Sequence, residues 1–220
     1  MKKVVLSGKF LNSKINGIPR YAMEVVKHMD PLAEGMDIEI CYPTDLAADK
    51  IPDLKNIKPV PFGKNGKGWD ILCGEKYARR KNALYVNLAS RGGLYKNSIV
   101  CLHDIRPLTW DLQHGKKTNQ FLLDKLNFWL VAHNSKKIVT ISEFCRQEIA
   151  EYYHLNASDI AVAPEGAEHL NAIVCSEKML EKGEFYFSIG SMAPHKNFEF
   201  LSSSSIWCHP VISSDIWFPL

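Results

Sequence analysis

Short runs of β-branched and other apolar residues alternate with amphipathic segments along most of the chain. The runs predict strands at 4–6, 38–41, 83–88, 99–102, 138–141 and 160–163. Near-continuous apolar strands that alternate with helices are typical of a parallel sheet covered on both faces. The pattern therefore predicts an α/β fold with a parallel sheet and helices on both faces.

Three segments have apolar residues at helical spacing. The first stripe comprises Ile18, Tyr21, Ala22, Val25, Val26 and Met29. Pro19 is tolerated in a first turn, so this helix is predicted to begin near Gly17. The second stripe comprises Leu122, Leu126, Trp129, Leu130 and His133. The third helix is predicted to begin at Ser142, a good N-cap, with one face formed by Cys145, Ile149, Tyr152 and Tyr153.

The alternation breaks near residues 164–166, where a polar and charged stretch begins and runs to residue 184. A new strand is predicted at 185–189. We therefore expect an N-terminal domain at 1–170, a linker at 171–184 and the start of a second domain at 185–220. After Leu201, a serine run and a tail with tryptophans and prolines follow neither a helical nor a strand period.

Composition narrows the class of protein. Of 220 residues, 46% are hydrophobic and 23% are charged, which is the balance of a globular protein. The net charge of +3 is too small to indicate nucleic acid as a partner. The start of the chain has no signal-peptide apolar region and no run reaches the ~20 residues of a membrane span, so we predict a cytoplasmic protein. The six cysteines lack metal-ligand spacing and are predicted to be buried, reduced thiols.

The first candidate for chemistry is the turn at 7–17, which leads into the first helix. Ligands of doubly wound folds lie beyond the carboxyl ends of the strands, and free N–H groups at a helix start attract anions. Gly17 would let a ligand approach the backbone, or it merely ends a loop; both interpretations are open. The absence of a GxGxxG sequence here counts against a nicotinamide oxidoreductase.

Two further candidates follow predicted strands. His103 is expected in a surface cleft, where it could donate a hydrogen bond to a sugar hydroxyl or a phosphate, and Asp104 could orient the ring or cap the next element. A structural role for the pair is equally open. Lys196 follows a glycine turn after residues 185–189, where a lysine could neutralise a diphosphate. A surface lysine would look the same.

Five segments, taken together and in order, resemble glycosyltransferase family 4. They are GIPRY at 17–21, LHDIRPL at 102–108, VTISEF at 139–144, APEG at 163–166 and SIGSMAPHKN at 188–197. The resemblance covers roughly residues 3 to 201. It implies the GT-B architecture, in which two Rossmann-like domains face each other across a cleft. Residues 1–170 would then form the acceptor-side domain, and residues 185–220 would begin the donor-side domain.

The resemblance also implies an activity. It implies retaining transfer of a hexosyl group from a nucleotide diphosphate sugar to a glycan or lipid-linked glycan acceptor in surface-polysaccharide synthesis. No metal and no cofactor is expected, because the nucleotide sugar is a substrate. Similarity to mannosyltransferases favours a mannosyl donor. A cytoplasmic protein in peripheral contact with the inner membrane is expected, with no nucleic acid as partner.

Site residues follow from the matching positions. The resemblance places Gly17 in the loop that faces donor and acceptor, and His103 against the transferred sugar. Lys196 matches the lysine that grips the donor diphosphate, beside Gly190 and Ser191. Many relatives have arginine where this chain has Ser191, so one of the two usual phosphate partners is replaced.

Three more residues are carried over as contacts of the acceptor or the sugar, namely Arg20, Asp104 and Glu165. The family's paired glutamates would lie far beyond Asn197. A truncated or frameshifted reading frame would explain their absence and the character of the tail, so we expect no sugar transfer by the 220-residue chain itself. The alternative is a non-catalytic acceptor-binding or interaction module made of the first domain alone.

Overall fold

A computed structural model describes residues 2–14, 16–113 and 119–167, all of which belong to the unit Met1–His169 of the chain. The strands are β1 Val4–Ser7, β2 Ile38–Tyr42, β3 Lys58–Pro61, β4 Leu84–Asn87, β5 Ser98–Cys101, β6 Lys137–Thr140 and β7 Ile160–Val162. They form one sheet in the order β3-β2-β1-β4-β5-β6-β7, and every neighbouring pair is parallel. The predicted α/β class and its parallel sheet are therefore confirmed.

The helices surround this sheet. They are α1 Gly17–Met29, α2 Lys76–Arg80, α3 Arg106–Gln113, α4 Asn119–Asn134 and α5 Glu143–Tyr153, and a π-helix Asp70–Glu75 leads directly into α2. α1 begins at Gly17, as its apolar period predicts, and fully buries Ala22 and Val26. The Ser142 hydroxyl accepts the backbone N–H of Cys145 at 3.1 Å, which confirms the predicted N-cap.

One strand, β3, was missed by the sequence pattern. It contains Pro59 and Pro61 and lies at the edge of the sheet, where it pairs with β2 alone. Prolines two residues apart leave alternate positions free to pair, so they are compatible with an edge strand although they argue against a central one. The six strands that the pattern did predict are all present.

The strand order reverses between β1 and β4, which is where ligands of such sheets bind. Ser7 ends β1, Asn87 ends β4, and both donate to Oδ1 of Asp70, at 2.6 and 2.7 Å. Burial raises the pKa of Asp70, and these two hydrogen bonds act in the opposite direction. A buried carboxylate thus ties together two strands that are far apart along the chain.

The connection from β4 to β5, residues 88–97, contains no helix and lies against α4 and the π-helix. Its backbone groups are paired by side chains. Glu75 accepts the N–H of Gly93 at 2.7 Å, Asn127 donates to the carbonyl of Ser90 at 2.8 Å, and Asn134 donates to the carbonyl of Gly93 at 2.9 Å. We call this segment the β4–β5 loop.

These contacts determine which face of α4 is buried. Asp124 and Asn127 lie on the buried face, together with Phe121, Phe128 and Val131. The helix predicted from the second stripe is confirmed, but most of that stripe faces outward: Leu122 is 60%, Leu126 56% and Trp129 49% exposed. The inner face of α4 instead carries the polar groups that hold the β4–β5 loop, beside apolar residues that are not part of the stripe.

Gly93 tests how closely this loop is fitted to α4. Its φ is +102°, and a Cβ built there would lie 2.6 Å from backbone atoms of Leu130 and Val131. We expect Gly93→Ala to lower the free energy of unfolding by roughly 2 to 4 kcal/mol, because it combines backbone strain with overpacking. Gly66→Ala is the control, since nothing lies within 4 Å of a Cβ there. Equal urea midpoints for the two variants would contradict this packing.

Candidate active site

A cleft of about 460 Å³ runs along one side of α1. Its lining residues are Gly17, Arg20, Tyr21, Glu24, Val25 and His28 from α1, and Pro164, Glu165 and Gly166 from the segment after β7. Gly17 and Arg20 were predicted as site residues from the GIPRY segment, and Glu165 was predicted from the APEG segment. The fold brings them to one cleft, because the segment after β7 and the start of α1 meet at the carboxyl edge of the parallel sheet.

The N-terminal end of α1 gives one end of the cleft a positive potential. The first N–H groups of a helix have no acceptor within the helix, and the Asn16 side chain does not cap them. The first turn carries no acidic residue, and Arg20 lies one turn into the helix. The aligned peptide dipoles and this guanidinium together favour an anion at this end.

Gly17 has no steric or conformational need to be glycine. A Cβ built there would have no atom within 4 Å, and Gly17 is not among the residues with positive φ. The sequence leaves two interpretations open, namely a glycine that ends a loop and a glycine that lets a ligand approach the backbone. The backbone conformation at Gly17 does not require glycine, so the first interpretation does not explain it. The space beside the backbone is instead open to a ligand in the cleft.

His103 lies beneath the cleft rather than at its surface, with only 3% of its area exposed. Its Nε2 lies 2.9 Å from the carbonyl oxygen of Leu88. A carbonyl oxygen can only accept, so Nε2 carries the hydrogen. The ring packs edge-on against Tyr21, with ring centroids 4.9 Å apart. The β4–β5 loop on one side and α1 on the other thus fix the orientation of the ring.

The other ring nitrogen, Nδ1, has no hydrogen-bond partner among the described residues, although it is buried. It lies 3.7 Å from Oε1 of Glu165, whose side chain is about half exposed at the cleft. Because Nε2 holds the hydrogen of a neutral ring, Nδ1 is an acceptor and donates only when the ring is protonated. The expected donor role of His103 therefore applies to the imidazolium form, and the neutral ring would accept from a hydroxyl.

Among the described residues, no hydrogen bond joins Asp104 to the His103 ring. Its Oδ1 accepts the backbone N–H of Arg106 at 3.1 Å and so supports the start of α3. Of the two roles that the sequence leaves open, capping is the one seen, and Leu88 orients the ring instead. Contact of Asp104 with a sugar stays a prediction.

The sequence pattern assigned Tyr21 only to the apolar stripe, whereas it both lines the cleft and packs on His103. Burial raises the pKa of its phenol, so the ring stays neutral. Residues 17, 20, 21, 24 and 28 recur at helical spacing and all face the cleft. That spacing, combined with the GIPRY segment, was the signal that could have identified Tyr21.

Burial disfavours the thiolate form of two cysteines of the sheet. Burial raises the pKa of Cys101 to about 11 and that of Cys41 to about 12, so both stay protonated at neutral pH. Cys145 is buried and Cys73 is partly buried. In the part of the chain that the structure describes, no group of three or more His, Cys, Asp or Glu side chains is placed to hold a metal ion.

Several predicted features lie outside the described residues. They are Gly190, Ser191 and Lys196, the linker 171–184 and the second domain 185–220. Within the described ranges, no helix is both long and apolar enough to cross a bilayer. A scan against protein-family models and a search of curated proteins found no match to this chain.

The burial of His103 leads to a stability prediction. We expect His103→Ala to lower the free energy of unfolding by about 2 to 3 kcal/mol, because it removes a buried ring and leaves the carbonyl of Leu88 unpaired. His28 is the matched control, a histidine of the same cleft whose side chain is 73% exposed. His28→Ala should change the urea midpoint little. A His103→Ala midpoint equal to that of the control would show that the ring is not part of the packed structure.

Proposed function

We propose that this protein is the acceptor-side part of a retaining glycosyltransferase that moves a hexosyl group, with mannosyl favoured, from a nucleotide diphosphate sugar to a glycan or lipid-linked glycan. The observation that carries the proposal is the unpartnered Nδ1 of His103, buried next to a cleft. A buried polar atom without a partner in a native fold calls for an explanation. A hydroxyl of a bound sugar would supply one.

The convergence of separate motifs supports the same function. Gly17, Arg20 and Glu165 line the cleft, and His103 lies 3.7 Å from Glu165. All four come from segments that resemble the glycosyltransferase family, and those segments lie as far apart as residues 17 and 165 in the sequence. These segments meet at the carboxyl edge of a doubly wound sheet, which is the edge where such folds bind ligands.

The anion-favouring end of the cleft fits the leaving group of this reaction. Negative charge increases on the nucleotide diphosphate as its bond to the sugar breaks. Hydrogen-bond donors and positive charges that face the diphosphate stabilise the transition state more than they stabilise the bound substrate. In this proposal, the start of α1 acts on the diphosphate from this domain, and Lys196 with Gly190 and Ser191 acts from the donor side. Arg20, which the resemblance gives as a contact of the acceptor or the sugar, is assigned to the diphosphate instead because it lies one turn into α1.

His103 is assigned to the sugar. Its Nε2–H is held by Leu88, so Nδ1 is the atom available to accept a hydrogen bond from a sugar hydroxyl. Nδ1 and Glu165 Oε1 are 3.7 Å apart, which leaves no room for an atom between them, so Glu165 must turn aside when the sugar binds. Its half-exposed side chain can do so without leaving a buried position.

The proposal also includes the location of the reaction. Transfer to the acceptor would take place on the cytoplasmic side of the inner membrane.

The proposal is tested by transfer from a panel of nucleotide diphosphate sugars, using the transferase with a complete donor-side domain. Gly17→Ala should lower kcat/KM at least about tenfold, because the added methyl group displaces a phosphate from the α1 backbone. The same variant should unfold at the same urea concentration as the wild type, since its Cβ meets no protein atom. Gly66→Ala, which is equally unhindered, should retain full activity.

Two results would count against the proposal. Absence of transfer from every donor in the panel, by a folded two-domain protein, would contradict a transferase. If the 220-residue chain nevertheless bound acceptor glycans, the non-catalytic acceptor-binding module would be the better description. Unchanged kcat/KM for Gly17→Ala would remove the α1 terminus from the site.

A further inference from the structure

The outer face of α4 is apolar, which is unusual for a surface helix. Four large side chains form it: Leu122 at 60%, Leu123 at 56%, Leu126 at 56% and Trp129 at 49% exposure. We call these four residues the α4 apolar face. Leu122, Leu126 and Trp129 recur at i, i+4 and i+7 and so lie in one row along the helix. Single exposed leucines are common, but a continuous row marks an interaction surface.

The exposed lysine and aspartate side chains of α4, and of the two residues that follow it, have one sign. Asp124 is the only acidic residue of α4, and it is buried and paired with Arg91 at 2.8 Å. Its charge is therefore already balanced within the fold. Lys125 is exposed next to the row, and Lys136 is exposed just beyond the end of the helix. The α4 apolar face is thus bordered by lysines, with no carboxylate of α4 exposed beside it.

We propose that the α4 apolar face docks on an anionic lipid bilayer. A helix with leucine and tryptophan on one face and lysines beside them lies in the membrane interface, where the apolar side chains enter the acyl boundary and the lysines meet anionic headgroups. Tryptophan suits this depth because its ring is apolar and its N–H is polar. The inference does not depend on sugar transfer, because docking needs neither donor nor acceptor.

A bilayer fits this face better than a second copy of the chain does. Four side chains that are about half exposed offer a few hundred Å², whereas a stable protein interface buries about 800 Å² on each partner. Two copies that met through this face would also bring their Lys125 side chains close to each other, and like charges repel. An anionic lipid surface attracts the same lysines.

Docking would place the membrane beside the cleft. α4 connects β5 to the parallel strand β6, so it runs opposite to the strands and its first turns lie toward their carboxyl ends. Leu122 and Leu123 belong to these first turns. A bilayer on the α4 apolar face would therefore approach the edge of the sheet where the cleft opens. If the proposed transfer is correct, this arrangement suits a lipid-linked acceptor.

Flotation of the 220-residue chain with vesicles tests the docking, using phosphatidylcholine alone or mixed with phosphatidylglycerol. We expect binding to the mixed vesicles and a partition coefficient at least about tenfold lower for the double variant Leu126→Gln/Trp129→Gln. The matched control is Leu32→Gln/Leu72→Gln, at positions 75% and 66% exposed elsewhere on the surface. The control should bind as the wild type does, and circular dichroism should show that both variants are folded.

A second pair of variants tests how much the charge of Lys125 contributes to vesicle binding. Lys125→Glu should weaken binding to phosphatidylglycerol vesicles about fivefold or more at low salt, and the difference should shrink at high salt. Lys50→Glu makes the same charge change at an exposed position of the segment between β2 and β3, and it should have a smaller effect.

Three outcomes would overturn the proposal. The first is no binding to mixed vesicles, and the second is equal binding to vesicles of phosphatidylcholine alone. The third is binding that Leu126→Gln/Trp129→Gln leaves unchanged, which would assign it to another part of the chain. Concentration-dependent dimers that this double variant abolishes, without binding to vesicles, would instead make the face an interface between copies.

Discussion

The helix-free connection between β4 and β5 is the constraint on which the rest of the described structure depends. Parallel neighbours are usually joined through a helix that satisfies its own backbone. Here the β4–β5 loop returns along the sheet in an irregular conformation, and its buried N–H and carbonyl groups need side-chain partners. Glu75 supplies one partner from the π-helix, and α4 supplies others through Asn127 and Asn134. Burial raises the pKa of Glu75, while the N–H groups that it accepts act in the opposite direction.

The same loop prepares the candidate site. Leu88 accepts Nε2–H of His103, and the Ser90 hydroxyl accepts the backbone N–H of His103 at 3.2 Å. The loop therefore fixes both the tautomer and the position of the ring, and it leaves Nδ1 toward Glu165 and the cleft. The inner face of α4 carries the polar partners of this loop beside buried apolar residues, and the α4 apolar face lies on the opposite side. A single connection thus influences both the candidate site and the α4 apolar face.

Local signals in the sequence predicted much of this fold. The apolar runs predicted six strands, Pro19 placed the start of α1 at Gly17, and Ser142 predicted the cap of α5, because each of these signals acts within a few residues of its effect. β3 was missed because its two prolines argue against a central strand but not against an edge strand, and the sequence pattern does not show which strands lie at the edge. The sequence pattern did not show which face of α4 is buried, because the partners of its inner polar residues lie about forty residues away, in the β4–β5 loop.

The candidate site was predicted in part. Gly17, Arg20 and Glu165 belong to one cleft. The position of His103 beneath this cleft, with Tyr21 against its ring, depends on packing between α1 and the segment after β5, which no local pattern contains. The most direct test of this account is the ring nitrogen NMR spectrum of His103 in the ¹⁵N-labelled chain near neutral pH, assigned by the loss of signals in His103→Gln. The account predicts that the neutral ring carries its hydrogen on Nε2. A neutral ring protonated at Nδ1 would contradict it, because Leu88 could not then hold the ring and Nδ1 would not be free to accept from a ligand.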